Sequence, residues 1–102
     1  MAISQPLELH SLTDQAATND GNWADVRSFR RFSVHVKGIV NATVSIYGSN
    51  APVKPSDAIH EIELTSTTVD VIADIDLPVK WLKVRVSAWV DGTINAYTWA
   101  TE

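Results

Sequence analysis

The strongest constraint in this chain is an alternation of apolar and polar residues with a period of two. From Arg31 to Lys37, Phe32, Val34 and Val36 alternate with Arg31, Ser33, His35 and Lys37. From Val40 to Tyr47, the apolar set is Val40, Ala42, Val44 and Ile46, and the other set is Asn41, Thr43, Ser45 and Tyr47. A third run sets Leu82, Val84, Val86, Ala88 and Val90 against Lys83, Arg85, Ser87 and Trp89. Successive side chains of a strand point to opposite faces, so each run describes a strand with one buried and one wet face.

The breaks between runs set the expected connections. Gly38 separates the first two runs and predicts an antiparallel hairpin there. Asp91-Gly92 ends the third run and carries the strongest hairpin signal in the chain. With a two-residue loop, Thr93 to Ala100 return so that Val90 faces Thr93, Val86 faces Tyr97 and Val84 faces Trp99, with Trp89 and Ile94 on the other face. A bulge at this turn would reverse which face these residues take. Residues 48–57, with Gly48, Asn50, Pro52, Pro55 and Asp57, read as a loop. Ile62 and Leu64 predict a short strand. Val69, Val71, Ala73 and Ile75 predict another, with Ile72 marking a bulge or cover on both sides. Pro78 breaks the chain before the third run.

Leu7 and Leu9 predict a short edge strand, and residues 13–22 are small and polar enough for a loop or mobile arm. Trp23, Val26 and Phe29 fit a helical turn or a short strand followed by a turn. Together these elements predict an all-β fold: a single antiparallel β-sandwich, jelly-roll-like, with about seven to eight short strands. Residues 23–102 form the domain and residues 1–22 an arm and loop before it.

Composition narrows the function. The 102 residues suit one domain, and a hydrophobic share of 45% is that of a globular chain rather than a disordered one. Lys and Arg number 8 against 12 Asp and Glu, a net charge of −4, which argues against nucleic acid as partner. There is no cysteine, so neither disulfides nor thiolate zinc sites are available. The first six residues lack the cationic start and apolar run of a signal peptide, and no stretch approaches the roughly 20 apolar residues that span a bilayer.

No catalytic pattern emerges. His10, His35 and His60 stand apart from other ligand types at metal spacing, so surface histidines are the ordinary reading. Asp20, Asp57, Asp70, Asp74 and Asp76 do not follow a calcium-loop pattern. There is no Gly-x-Ser-x-Gly elbow and no phosphate-binding glycine loop. Glu61 and Glu63 share a strand face, whereas glycosidase acids flank a cleft. Arg27, Arg30 and Arg31 form the one basic cluster and suit ion pairs or a partner surface. The chain is expected not to be an enzyme and to need no metal or cofactor. Four tryptophans, Trp23, Trp81, Trp89 and Trp99, are many for so small a core. Trp89, opposite the apolar set of its own strand, is expected to face outward, where an aromatic ring stacks on a sugar or anchors a protein interface.

The runs Phe32-Ser33-Val34-His35-Val36-Lys37-Gly38, Ala42-Thr43-Val44-Ser45-Ile46-Tyr47-Gly48-Ser49-Asn50 and Trp81-Leu82-Lys83-Val84-Arg85-Val86-Ser87, closing on Asp91-Gly92-Thr93, resemble small β-sandwich virion proteins of tailed bacteriophages. The resemblance covers about residues 23–100 and departs from the pattern at Ala51-Pro52-Val53-Lys54-Pro55, where a glycine turn and a tryptophan would be expected. It implies a capsid decoration, or cement, protein: made in the host cytoplasm, located on the virion, oligomeric as a dimer or trimer, and partnered with the major capsid protein. Ile3, Leu7 and Leu9 of the arm, with Arg85, Trp89 and Tyr47 of the sheet, are the expected partner-binding residues. A carbohydrate- or receptor-binding module using Trp89, Tyr47 and Trp99 is the alternative, and a tail or neck component of the same particle is another.

Overall fold

A computed structural model describes residues 7–55 and 61–101. Expected partner residue Ile3, and His60 and Asp57, lie outside the described residues. The alternation becomes six antiparallel strands: β1 (Leu7–Gln15), β2 (Ala24–Asp25), β3 (Arg31–Ser49), β4 (Ile62–Thr67), β5 (Val71–Ile75) and β6 (Trp81–Thr101). There is no helix among the described residues, and therefore none long and apolar enough to cross a membrane.

Two strands dominate. β3 has 19 residues and β6 has 21, and they pair with each other along their whole length, from Arg31 opposite Thr101 to Ser49 opposite Trp81. β1 and then β2 run along the free side of β6, with Asn19 bridging to Val86 between them. β4 and then β5 run along the free side of β3. Each long central strand is thus flanked by an interrupted edge strand. The strand order is β1-β6-β3-β4, with β2 also on β6 and β5 also on β3. This describes one antiparallel sheet of six strands; it does not describe a jelly roll.

The hairpins expected at Gly38 and at Asp91-Gly92 do not form. β3 and β6 run straight through these points, and the register between them shifts at four places between Lys37 and Val44. Gly38 and Gly92 both have positive φ, +94° and +119°, and they meet across the pair. A β-carbon on Gly38 would run into the carbonyl oxygen of Thr93, and one on Gly92 into that of Gly38. The left-handed backbone that Asp91-Gly92 supplies serves a bulge as well as a turn. Tyr97 and Trp99 consequently pair with His35 and Ser33, while Val86 and Val84 pair with Val44 and Ile46.

The alternation predicts the core on either side of these bulges. Phe32, Val34, Val36, Ala42, Val44 and Ile46 of β3 are buried, as are Leu82, Val84, Val86, Ile94, Ala96 and Ala100 of β6. They belong to one apolar cluster with Leu12, Val26, Ile75 and Val79. Both halves of the sheet therefore turn their apolar faces into a shared core, where each fully buried aliphatic side chain contributes about 1.5–3 kcal/mol. The pattern fails at the bend and the edge. Val40, Ala88 and Val90, expected inside, are exposed, as are Val69 and Ile62.

The edge strand expected at Leu7 and Leu9 forms as β1, paired with β6, and it runs on to Gln15, into the start of the stretch expected as a loop or mobile arm. Residues 23–29 take the strand-and-turn option: β2 is followed by a turn closed by the Phe29 N–H donating to the Val26 carbonyl at 3.0 Å.

Candidate functional site

The outward faces of the two halves of the sheet differ. On the half built by residues 81–87 of β6 and 43–49 of β3, the segment between β1 and β2 runs along the edge of β6 and sends Trp23 and Asp20 over the outward face. Asn19 and Val86 exchange two backbone hydrogen bonds, 3.1 and 2.9 Å. On this face lies an ionic network. The Glu61 carboxylate accepts from Lys83 Nζ at 2.7 Å and pairs with the Arg85 guanidinium at 2.9 Å. The side chains of Glu61 and Lys83 are each only 7% exposed. Lys83 Nζ also sits 4.7 Å from the centre of the Trp23 ring and 5.7 Å from that of Tyr47, and Arg85 lies 4.5 Å over Tyr47. Asp20 lies 3.1 Å from Arg85 Nε, but that N–H makes no hydrogen bond of acceptable geometry, so the contact is coulombic. Burial pushes the Glu61 carboxyl up, but the hydrogen bonds from Lys83 and Arg85 outweigh it and hold it below its ordinary range. Arg85 is pushed down by burial and more than restored by Glu61, Tyr47 and Asp20, for a net rise.

The other half, built by β1, residues 95–101 of β6, residues 31–37 of β3 and β5, leaves its outward face bare. Register lines up two rows of side chains across the four strands. One row is His10, Tyr97, His35 and Ile72; the next is Glu8, Trp99, Ser33 and Asp74. His10 stacks on Tyr97 with ring centres 4.5 Å apart and planes 20° apart, and His35 leans toward the other side of Tyr97 at 6.1 Å. The His10 ring also hydrogen-bonds Asn95 Oδ1 at 3.3 Å. Tyr97 and Trp99 stay 44% and 46% exposed, and Ile72 is more open still. A groove of about 390 Å³ runs between Trp99, Tyr97, His35 and Ile72 over Ser33. Ser33 and Trp99 also line a second notch of about 160 Å³, whose far wall is the Arg31–Asp74 ion pair at 3.2 Å. Among the described residues no three His, Asp or Glu side chains converge at metal-binding distance.

No protein-family model matches the chain. No curated protein sequence matches it either. Its fold is shared with the SPBc2 prophage-derived protein YomS. The crystal structure of YomS superposes on 100% of this chain and on 99% of its own, with a TM-score of 0.75 and 14% sequence identity. At that identity the likeness to YomS is one of architecture, and it extends from end to end.

Among the described residues, those expected to bind the partner do not form one surface. Arg85 and Tyr47 belong to the ionic network on the opposite half of the sheet. Trp89 is half-buried, packs against the core, and donates its indole N–H to the Gly92 carbonyl at 2.9 Å; it closes the bulge rather than facing outward. Leu7 packs against the core and Leu9 lines the floor of the groove. Of the residues named for an aromatic platform, Trp99 alone stands on the bare face. Tyr97, His10, His35, Ser33 and Ile72 complete that face without having been singled out for it. The signal was present: Asn95, Tyr97 and Trp99 alternate with Ile94, Ala96 and Thr98. Folding Thr93–Ala100 back onto its own strand placed both rings opposite core valines and hid it.

Proposed function

We propose that this chain is a non-enzymatic structural protein of a phage particle that decorates the shell by docking on the major capsid protein through the bend of its sheet. The observation that carries the docking surface is the exposure of Val40, Val69 and Val90. Register places Val40 and Val90 on either side of the bulged pair, and Val69 beside them, where the neighbouring Asp70 carboxylate accepts the Ile39 N–H at 2.9 Å. Exposed apolar patches on otherwise well-packed small proteins mark contact sites. The full-length likeness to a prophage-derived protein supports the phage assignment. The shared core of the two halves supports reading the bent sheet as two layers closed over one another.

On this reading the protein acts on the virion after synthesis in the host cytoplasm, assembles as a dimer or trimer, and gains strength from repetition: a modest contact made many times over a symmetric shell binds collectively. The test is sedimentation with undecorated phage heads. Wild-type protein pellets with the shells. The Val40→Ser/Val90→Ser protein, with an unchanged circular-dichroism spectrum, stays in the supernatant. Wild-type protein that fails to pellet over a range of salt removes the reading.

A further inference from the structure

We propose that the bare aromatic face is a glycan-binding site in which one pyranose ring stacks on Trp99 above Ser33. The site lies on the half of the sheet away from the valine bend and does not depend on the shell-binding reading. A pyranose presents an apolar C–H face and a rim of hydroxyls. It therefore needs a bare aromatic surface with hydrogen-bonding groups in the plane around it.

This face has both. Trp99 is flanked on one neighbouring strand by Glu8 and on the other by Ser33. The small Ser33 leaves the notch beside the indole open on two sides, and this is why two grooves share these two residues. Their rims carry Glu8, His10, His35, Asp74 and Arg31, which between them offer donors and acceptors for hydroxyls. The Arg31–Asp74 pair is exposed on both sides, so it can be engaged without prior desolvation. A protein-docking hot spot has a different surround: carboxylates are depleted at interface cores, and apolar neighbours shield the anchoring ring. Here two carboxylates and two imidazoles surround two rings, which favours a hydroxylated ligand over an apolar peptide. A third groove, of about 330 Å³ between His35, Ile72, Lys37 and Asp70, continues the track along β3 and β5, so an oligosaccharide of a few units fits better than a single sugar.

The test follows the four indole N–H signals of the intact protein by two-dimensional NMR while maltotriose, cellotriose, chitotriose and mannotriose are added in turn. Each is taken to about 20 mM, well above the millimolar Kd of a weak single site. The Trp81 and Trp89 indole N–H groups are held by the Ala51 and Gly92 carbonyls and serve as internal references. The expected result is a saturable shift of the Trp99 signal with at least one sugar. Ser33→Val, which fills the notch while keeping the indole, weakens binding at least tenfold by the same signal, and Trp99→Ala does so by the backbone amide shifts of Ser33 and His35, each with an unchanged circular-dichroism spectrum. Val40→Ser/Val90→Ser leaves binding intact, so loss of shell binding and loss of sugar binding are separable. No saturable shift with any of the four sugars overturns the proposal. So does a saturable shift with the peptide Gly-Trp-Gly alone, which would mark the face as a protein-docking surface.

Discussion

Glu61 shows what single residues contribute to this fold and where reading them from sequence stops. The sequence places it on one strand face with Glu63. In the structure it neutralises two cations, Lys83 and Arg85, that alternation places on the outward side of β6 and that Trp23 and Asp20 reach from the sheet edge. Nothing local to residues 81–87 announces the side chains that arrive from Asp20 and Trp23. Removing one partner of a buried ion pair leaves the other charge unmatched. Glu61→Gln is accordingly expected to cost about 3 kcal/mol at pH 7, measured by urea denaturation. The pH dependence follows from the sign of the shift. The folded carboxyl ionises below its ordinary value of 4.5. Its contribution is therefore complete above 4.5 and lost as pH falls through the lower folded value. Wild type and Glu61→Gln should converge in stability on acidification below 4.5. A constant gap down to the acid unfolding transition would show that the carboxylate charge is not what matters.

At the scale of elements, the inward residues of β3 and β6 were legible because burial enforces a period of two, and a one-residue slip would expose every valine at once. The connections were not legible. Gly38 and Asp91-Gly92 carry the letters of tight turns, and their backbones do adopt the positive φ those letters imply. Whether such a residue closes a hairpin or bulges a continuous strand depends on the strand it faces. The partner of Lys37 is Asn95 and that of Ile39 is Gly92, far away in sequence. The same mistake displaced the site, since the side chains opposite Tyr97 and Trp99 decide whether these rings are core or surface. The bulges make a firm prediction. Gly38→Ala must accommodate both a left-handed backbone and a collision with the Thr93 carbonyl, neither of which a flexible side chain can relieve. It is expected to destabilise by about 2 kcal/mol or more. A thermal melt checks this; Gly38→Ala melting within a degree of wild type would mean the bend does not require glycine.

At the scale of the whole molecule, the architecture is set by two strands that each belong to both halves. A sheet made of local hairpins could open one hairpin at a time. Here β1, β5 and the adjoining parts of β3 and β6 form one half, and β2, β4 and the remaining parts form the other, yet the two halves share both central strands and one core. Unfolding either half strips the covering from the inward valines of the other: Val34 and Val36 on one side, Val44 and Val84 on the other, all at most 2% exposed. Exposing several such side chains, at about 1.5–3 kcal/mol each, costs as much as the 5–15 kcal/mol of net stability typical of a small domain. The halves are therefore one cooperative unit, unlike the separable subunits of opening seen in many proteins. Native-state hydrogen exchange provides the measurement. The amides of Val34 and Ile94 in one half, and of Ile46 and Val84 in the other, should exchange with the same free energy and the same denaturant dependence, equal to those of global unfolding. The short β2 strand should open at lower cost. Distinct opening energies for the two sets of central amides would mean that the long strands can break at the glycine bend, which would then be a hinge between two independent units.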